Sequence, residues 1–230
     1  MMNRVAVYAG TRNLYHAMSV AAYSLLVHTK MDRVIFLIED DEFPEPLPDV
    51  IECINVSKQT YFQPDGPNFV TLWTYMTLMR LALPIMLPEE KRVLWLDVDT
   101  IVEEDISELF DTLMGDCYVA GVPEPSRCKE PFMYINTGVL LMDLEKLRDG
   151  KCNEFLGFVG KHILKFPDQD CINLLCQGKI KKLDFVWNSC PWTYEPDDRK
   201  IVHFAADRNY ERRLLFKKYE RAKDEGNQSV

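Results

Sequence analysis

The residues best equipped for chemistry stand in "RVLWLDVDTIVEED" (92–105), where an apolar run meets Asp97 and Asp99, one residue apart. Burying a carboxylate without a partner costs several kcal/mol, so two of them ending a core strand call for a cation or a set of donors. On an extended strand, residues i and i+2 face one side about 6.6 Å apart. That spacing is too wide for one small ion unless the chain curls after the strand or water bridges one carboxylate. Repulsion between the two charges costs a few kcal/mol at an effective dielectric of about 20, and a bound cation reverses its sign. The plain alternative is a pair of solvated turn aspartates.

The elements that must hold this pair can be read from hydrophobic periodicity. "RVAVYA" (4–9), "RVIFLI" (33–38), "IECINV" (51–56) and "RVLWL" (92–96) read as strands, and "LYHAMSVAAYSLLVH" (14–28) and "TLWTYMTLMRLALPIM" (71–86) as helices. The acidic, proline-broken "EDDEFPEPLPD" (39–49) reads as a surface loop. Strands apolar throughout and separated by helices predict an α/β fold, a mostly parallel central sheet flanked by helices. Such sheets bind ligands beyond the carboxyl ends of their strands, where Asp97 and Asp99 stand.

Further along, "YINTGVLLMD" (134–143) and "KIVHFAA" (200–206) read as strands, "CNEFLGFVGKHILKF" (152–166) and "QDCINLLCQG" (169–178) as helices, and "VPEPSRCKEPF" (122–132) as a loop. From Asp207 the sequence turns into a charged helix, dividing the chain into a domain over 1–206 and a tail over 207–230.

Composition narrows the classes. The 230 residues suffice for one large domain with a real core. A net charge of −9 argues against nucleic acid as a partner, while leaving room for a nucleotide whose few charges meet a metal and a cation. No apolar run approaches a membrane span, and "MMNRVAVYAG" lacks a signal peptide's pattern, so a cytoplasmic protein is expected. The seven cysteines are scattered, odd in number and without a C-x-x-C pair. Cys171 and Cys176 read as reduced core residues rather than zinc ligands.

Two enzyme classes place D-x-D after an apolar strand. Phosphatases of the haloacid-dehalogenase type use the first aspartate as nucleophile, but they follow the motif with Thr or Val where this chain has Ile101. The other class is carried by more of the chain. "YAGTRNLYHAMSVAAYSLL", "RVLWLDVDTIVEEDISELF", "YINTGVLLMDLEKLR", "FPDQDCINLL" and "KIVHF", in that order, strongly resemble glycosyltransferase family 8, which includes glycogenin and bacterial lipooligosaccharide galactosyltransferases.

The resemblance implies a single GT-A-type domain, a UDP-glucose or UDP-galactose donor, and Mn²⁺, with Mg²⁺ as an alternative ion. It implies Asp97, Asp99 and His203 as metal ligands, a set that suits Mn²⁺ because that ion takes an imidazole more readily than Mg²⁺ does. Apart from the resemblance, a lone histidine on an apolar strand such as His203 is more often a core residue satisfied by one hydrogen bond. The donor site implied by the match comprises Ala9, Thr11, Asn13, Tyr15, Arg80, Val98, Asn136, Thr137, Asp168 and Gln169, together with the metal ligands. Thr11, Asn13 and Tyr15 would face uracil and ribose, the tyrosine ring stacking on the base; Asn13 has the alternative of capping the following helix. Arg80 would lie near the phosphate and sugar, and otherwise reads as a surface cation. Asp168 and Gln169 carry the implied catalytic roles, with Asp168 also a candidate helix cap.

The family retains configuration at the anomeric carbon. A retaining reaction can pass through a glycosyl-enzyme, but the matching residue is Gln169, an amide and a poor nucleophile, so front-face substitution is expected. One departure stands out: the family's continuation G-x-x-K-P-W is absent after His203, where the chain reads "FAADRNYER". Arg208 lies one place from the expected lysine. This keeps open a UDP-sugar-binding protein with little or no turnover. The sequence does not identify the acceptor, which the resemblance leaves among a glycan, a lipid-linked sugar and a protein; the basic, aromatic tail over 208–223 reads either as a helix packed on the domain or as a contact for an anionic membrane surface.

Overall fold

The computed structural model describes residues 3–71, 73–190 and 197–226. In chain order its elements are β1 (Val5–Ala9), α1 (Tyr15–His28), β2 (Arg33–Ile38), β3 (Ile51–Asn55), α2 (Met79–Met86), β4 (Arg92–Leu96), β5 (Thr100–Val102), α3 (Ser107–Phe110), β6 (Val119–Pro123), β7 (Ile135–Asp143), α4 (Leu144–Leu147), α5 (Lys151–Val159), α6 (Pro167–Leu175), β8 (Ile180–Lys182), β9 (Ile201–His203) and α7 (Leu214–Asp224). Seven strands form the central sheet in the order β3-β2-β1-β4-β7-β6-β8, and β5 pairs with β9 in a separate two-stranded ribbon. Only β7 runs against its neighbours in the large sheet; the other pairings are parallel. The expected mixed α/β sheet is therefore the architecture observed.

The apolar runs of β1, β2 and β4 are buried because both sheet faces are covered. Val7, Ile35, Val93 and Trp95 pack on one side with α2, α5 and α6, while Ala6, Phe36, Leu94 and Leu96 pack on the other with α1. Cys171 and Cys176 are free and fully buried, as core residues. Burial pushes the Cys176 thiol up to about 12.

Several boundaries differ from expectation, each for a local reason. The helix expected over 152–166 stops at Val159 with Gly160 as its cap, because the chain must turn to deliver α6. The helix expected from Thr71 begins at Met79 after a 3-10 turn over Tyr75–Leu78, and Pro84, which lacks an N–H, helps end it at Met86. The helix expected over 169–178 starts earlier, with Pro167 in its first turn, and ends at Leu175. The late strand shrinks to three residues and lies outside the main sheet. Residues 122–123, expected in a loop, end β6. Strands β5, β6 and β8 carry too few residues, or too many small ones, to stand out by periodicity.

The tail helix α7 starts at Leu214 rather than Asp207. Phe216 and Tyr219 are buried against Ala17, Val20 and Ile101. His28 Nε2 lies 2.8 Å from Tyr219 Oη, and Lys223 Nζ pairs with Glu45 at 2.6 Å. Among the described residues no helix is long and apolar enough to cross a membrane.

Candidate active site

Strand β4 delivers Asp97 to the carboxyl edge of the sheet, where the Asp97 N–H still donates to Gly138 O of β7 at 2.8 Å. The chain then curls. Thr100 donates to Asp97 O through both its N–H, at 3.2 Å, and its hydroxyl, at 2.7 Å. That turn brings Asp97 and Asp99 together and starts β5, whose Thr100 pairs with His203 of β9. One ligand atom each from Asp97, Asp99 and His203 all lie within 4.8 Å of one another.

The surroundings leave this trio oriented for a cation. Asp97 Oδ1 accepts from Arg80 Nη2 at 2.7 Å and from Trp95 Nε1 at 2.8 Å. Its Oδ2 faces His203 Nε2 at 3.8 Å, and Asp99 Oδ1 stands 3.3 Å from the same nitrogen. The other ring nitrogen, Nδ1, lies 3.0 Å from Asn188 Oδ1. Burial alone would push the His203 imidazole down, yet the Asp99 carboxylate and Cys190 hold it well above the usual histidine value, so a cation reaching Nε2 would displace its proton. Two carboxylates and an imidazole converging in this way fit a divalent ion such as Mn²⁺.

A cavity of about 340 Å³ opens beside the trio. Of the residues singled out in the sequence, Arg80, Asp97, Asp99, Asn136, Thr137, Asp168, Gln169 and His203 line it. Arg80 is no surface cation: it is 1 % exposed, stacks 4.4 Å over the Trp95 ring and bridges Asp97 to Asp168, its Nε 3.2 Å from Asp168 Oδ2. It also donates to the carbonyl of Thr137. Asp168 accepts from Thr137 Oγ1 at 3.0 Å and does not cap α6. The reach-back bond at that helix start comes from Asp170, whose Oδ2 accepts from Phe166 N at 2.9 Å. Burial pushes the Asp168 carboxyl above its usual range, against the pull of Arg80.

The remaining candidates lie outside that lining, around the carboxyl end of the neighbouring strand β1. Thr11 Oγ1 donates to Asn13 Oδ1 at 2.7 Å, so Asn13 makes no cap on α1. Tyr15 is buried, its ring 5.0 Å from that of Phe43 and its hydroxyl bonded to Asp40 and to Glu39 N. The expected stacking of Tyr15 on a base is therefore not what this ring is placed to do. Ala9 packs on one core cluster; Val98 packs on the other and lies beside Gly10. Arg208 is exposed and outside the cavity lining.

The sequence reading missed Glu124, Arg127, Trp73 and Phe166, which also line the cavity. Glu124 and Arg127 stand in the proline-rich segment that reads as a loop, and only the burial of the Glu124 carboxylate betrays a role. Ala206, at the cavity edge, has φ of 60°, a left-handed conformation that favours glycine. Replacing Ala206 with glycine is expected to raise stability by about 1 kcal/mol, measured by urea unfolding.

Similarity to known proteins decides the family. Residues 5–209 match the profile of glycosyl transferase family 8. The chain belongs to that family. It is 24% identical over 208 residues to a putative glycosyltransferase of Haemophilus influenzae, covering 80% of this chain and 61% of that protein. It is 34% identical over 112 residues to the lipopolysaccharide 1,2-glucosyltransferase of Escherichia coli, covering 43% and 33%. The chain thus spans less than two thirds of the length of these relatives. The galactosyltransferase LgtC, solved with donor and acceptor sugar analogs, superposes with a TM-score of 0.78 at 19% identity, over 95% of both chains, and so shares the GT-A fold.

Proposed function

We propose that the protein is a retaining hexosyltransferase that moves glucose or galactose from a UDP-sugar to a hydroxyl of a glycan, lipid-linked sugar or protein. The observation that carries this reading is the convergence of Asp97, Asp99 and His203 beside a cavity lined by Arg80, Asn136, Asp168 and Gln169, in a family 8 chain. Asp97, Asp99 and His203 would hold Mn²⁺, which when bound offsets negative charge on the departing diphosphate. Asn136, Thr137 and Asp168 would receive the sugar hydroxyls, each of which needs a partner once water is excluded. Arg80 holds Asp97 and Asp168 in position.

Gln169 is an amide and Asp168 is already engaged by Arg80 and Thr137, so neither is set up as a nucleophile. The acceptor hydroxyl would attack from the face the UDP leaves and pass its proton to the leaving phosphate. The product then keeps the donor's α configuration. The protein would act in the cytoplasm. The exposed Leu214, Lys218 and Arg221 of the tail would serve any peripheral contact with an anionic membrane.

The placement of Arg208 outside the cavity favours, as a second reading, a UDP-sugar binder with slow hydrolysis at most. Incubation with each UDP-sugar and Mn²⁺, with and without glycan acceptors, separates the two: UDP release that rises with acceptor supports transfer, and binding without release supports the second. UDP is expected to raise the melting temperature far more with Mn²⁺ than with EDTA, because a ligand stabilises the native state according to its affinity. Asp99→Asn should erase that difference. Equal shifts with and without metal in the wild type would remove the metal site from the proposal.

A further inference from the structure

We infer that the Glu124 carboxylate is a positioning residue that sets the direction of two hydrogen-bonded arms, one ending on His203 and the other on Gln169. What the arms serve rests on the metal and donor site proposed above; the anchoring itself does not.

Glu124 follows β6 and is 5 % exposed. Its Oε2 accepts from Arg127 Nε at 2.7 Å. Its Oε1 accepts from Asn136 Nδ2 and from Gln169 Nε2, both at 3.1 Å. An ionised carboxylate only accepts, so both amides must turn their NH₂ groups toward it.

In the first arm, that choice leaves Asn136 Oδ1 to accept from Gly138 N and Asn188 Nδ2, both at 2.9 Å. With its NH₂ directed at Asn136, Asn188 presents Oδ1 to His203 Nδ1 at 3.0 Å. An imidazole that donates from Nδ1 keeps the Nε2 lone pair for the side facing Asp97 and Asp99. Reversing any amide along the arm would set oxygen against oxygen, or N–H against N–H, inside a buried region. In the second arm, Gln169 Nε2 also meets Tyr134 Oη at 3.3 Å, while Oε1 accepts from Thr137 N at 3.1 Å. Glu124 and the Thr137 N–H together fix which end of the Gln169 amide faces which wall of the cavity. Glu124 and the backbone N–H groups of Gly138 and Thr137 thus agree on the direction of both arms, and Glu124 is the one group that both arms share.

The test uses two readouts that need no turnover: Mn²⁺ affinity of the ligand-free protein, from the electron paramagnetic resonance signal of free Mn²⁺, and the ¹⁵N–¹H resonances of the Gln169 side-chain amide. Glu124→Ala is expected to weaken Mn²⁺ binding by up to about 10-fold, less than the roughly 10–100-fold usual for losing the partner that touches a metal ligand, here Asn188, and to move the Gln169 resonances. Glu124→Gln keeps a carbonyl that can accept from both arms, and should recover most of both signals. Asn188→Ala cuts only the first arm, so it should weaken Mn²⁺ binding and leave the Gln169 resonances in place. If Glu124→Ala does not fold, Glu124→Leu, which is of similar bulk, puts the same question. Unchanged Mn²⁺ affinity and unchanged Gln169 resonances on losing the carboxylate would overturn the inference. So would a Gln169 shift in Asn188→Ala as large as that in Glu124→Ala. A wild type that binds no Mn²⁺ would sink the proposed metal site, while the Gln169 resonances would still judge the anchor.

Discussion

Replacing Arg80 with methionine is expected to destabilise the protein by about 3–5 kcal/mol near neutral pH, because it leaves buried charge uncompensated. The guanidinium is 1 % exposed and lies against both Asp97 and Asp168. Methionine keeps much of the contact with Trp95 and removes the cation. The loss should depend on pH with a defined sign. Burial already pushes Asp168 up and Arg80 opposes it, so the variant's carboxyl should rise further. An acid whose folded value is raised binds its proton more tightly when folded. Its stabilising effect is complete below the unfolded value of about 3.9 and disappears as pH climbs through the folded one. The gap between wild type and variant should therefore widen as pH rises above the unfolded value of about 3.9, read from urea unfolding at an acidic and a higher pH. A constant gap, or one below about 1 kcal/mol at the higher pH, would show that Asp168 does not depend on Arg80.

Gly138→Ala is expected to remove the metal response while leaving most of the fold. A Cβ at this position in β7 would lie 2.0 Å from His203 Cε1 and 2.7 Å from both ring nitrogens. The ring is 3 % exposed and has no slack to absorb that contact, so it must leave its place or push the strands apart. Overpacking of this kind costs about 1–3 kcal/mol. Displacing the ring should weaken Mn²⁺ binding by at least the roughly 100-fold seen when a ligand's support is lost. Calorimetric titration with Mn²⁺, together with unfolding in EDTA, measures both. An alanine variant with wild-type affinity would mean that His203 does not complete the site.

The parts of the fold legible in the sequence were those where a single interaction dominates. Strands β1, β2 and β4 are covered on both faces, so their apolar runs are continuous, and the D-x-D stands out against them. Strand β6, "VAGVP", is equally buried but is built of small residues and a proline, and its pairing with β7 and β8 is what makes it a strand. Arg80 looked like a surface residue because a charge on an apolar helix has no visible partner until the sheet brings Asp97 and Asp168 to it. Glu124 was invisible for the same reason: its three donors come from its own loop, β7 and α6. Tyr15 went the other way. Its type suggested a stacking platform, and the loop after β2 instead supplies Phe43, Asp40 and Glu39 to occupy the ring and hydroxyl.

The small β5–β9 ribbon has a consequence for how the chain matures. Register places Thr100 opposite His203, and Phe204 N donates to Asp99 O at 2.9 Å. The two halves of the trio thus come from segments separated by nearly half the polypeptide, clasped by two three-residue strands and the bonds that flank them, Phe204 N to Asp99 O and Glu103 N to Lys200 O. On a ribosome, the aspartates would emerge long before the histidine that closes the set. A dication bound across this clasp would act as a noncovalent crosslink around a long loop, the geometry in which closing the chain removes most freedom from the unfolded ensemble. Metal occupancy would then mark chains that have been completed and docked, and truncation ahead of residue 201 would leave the sheet's carboxyl edge with an acidic pair one ligand short of the set.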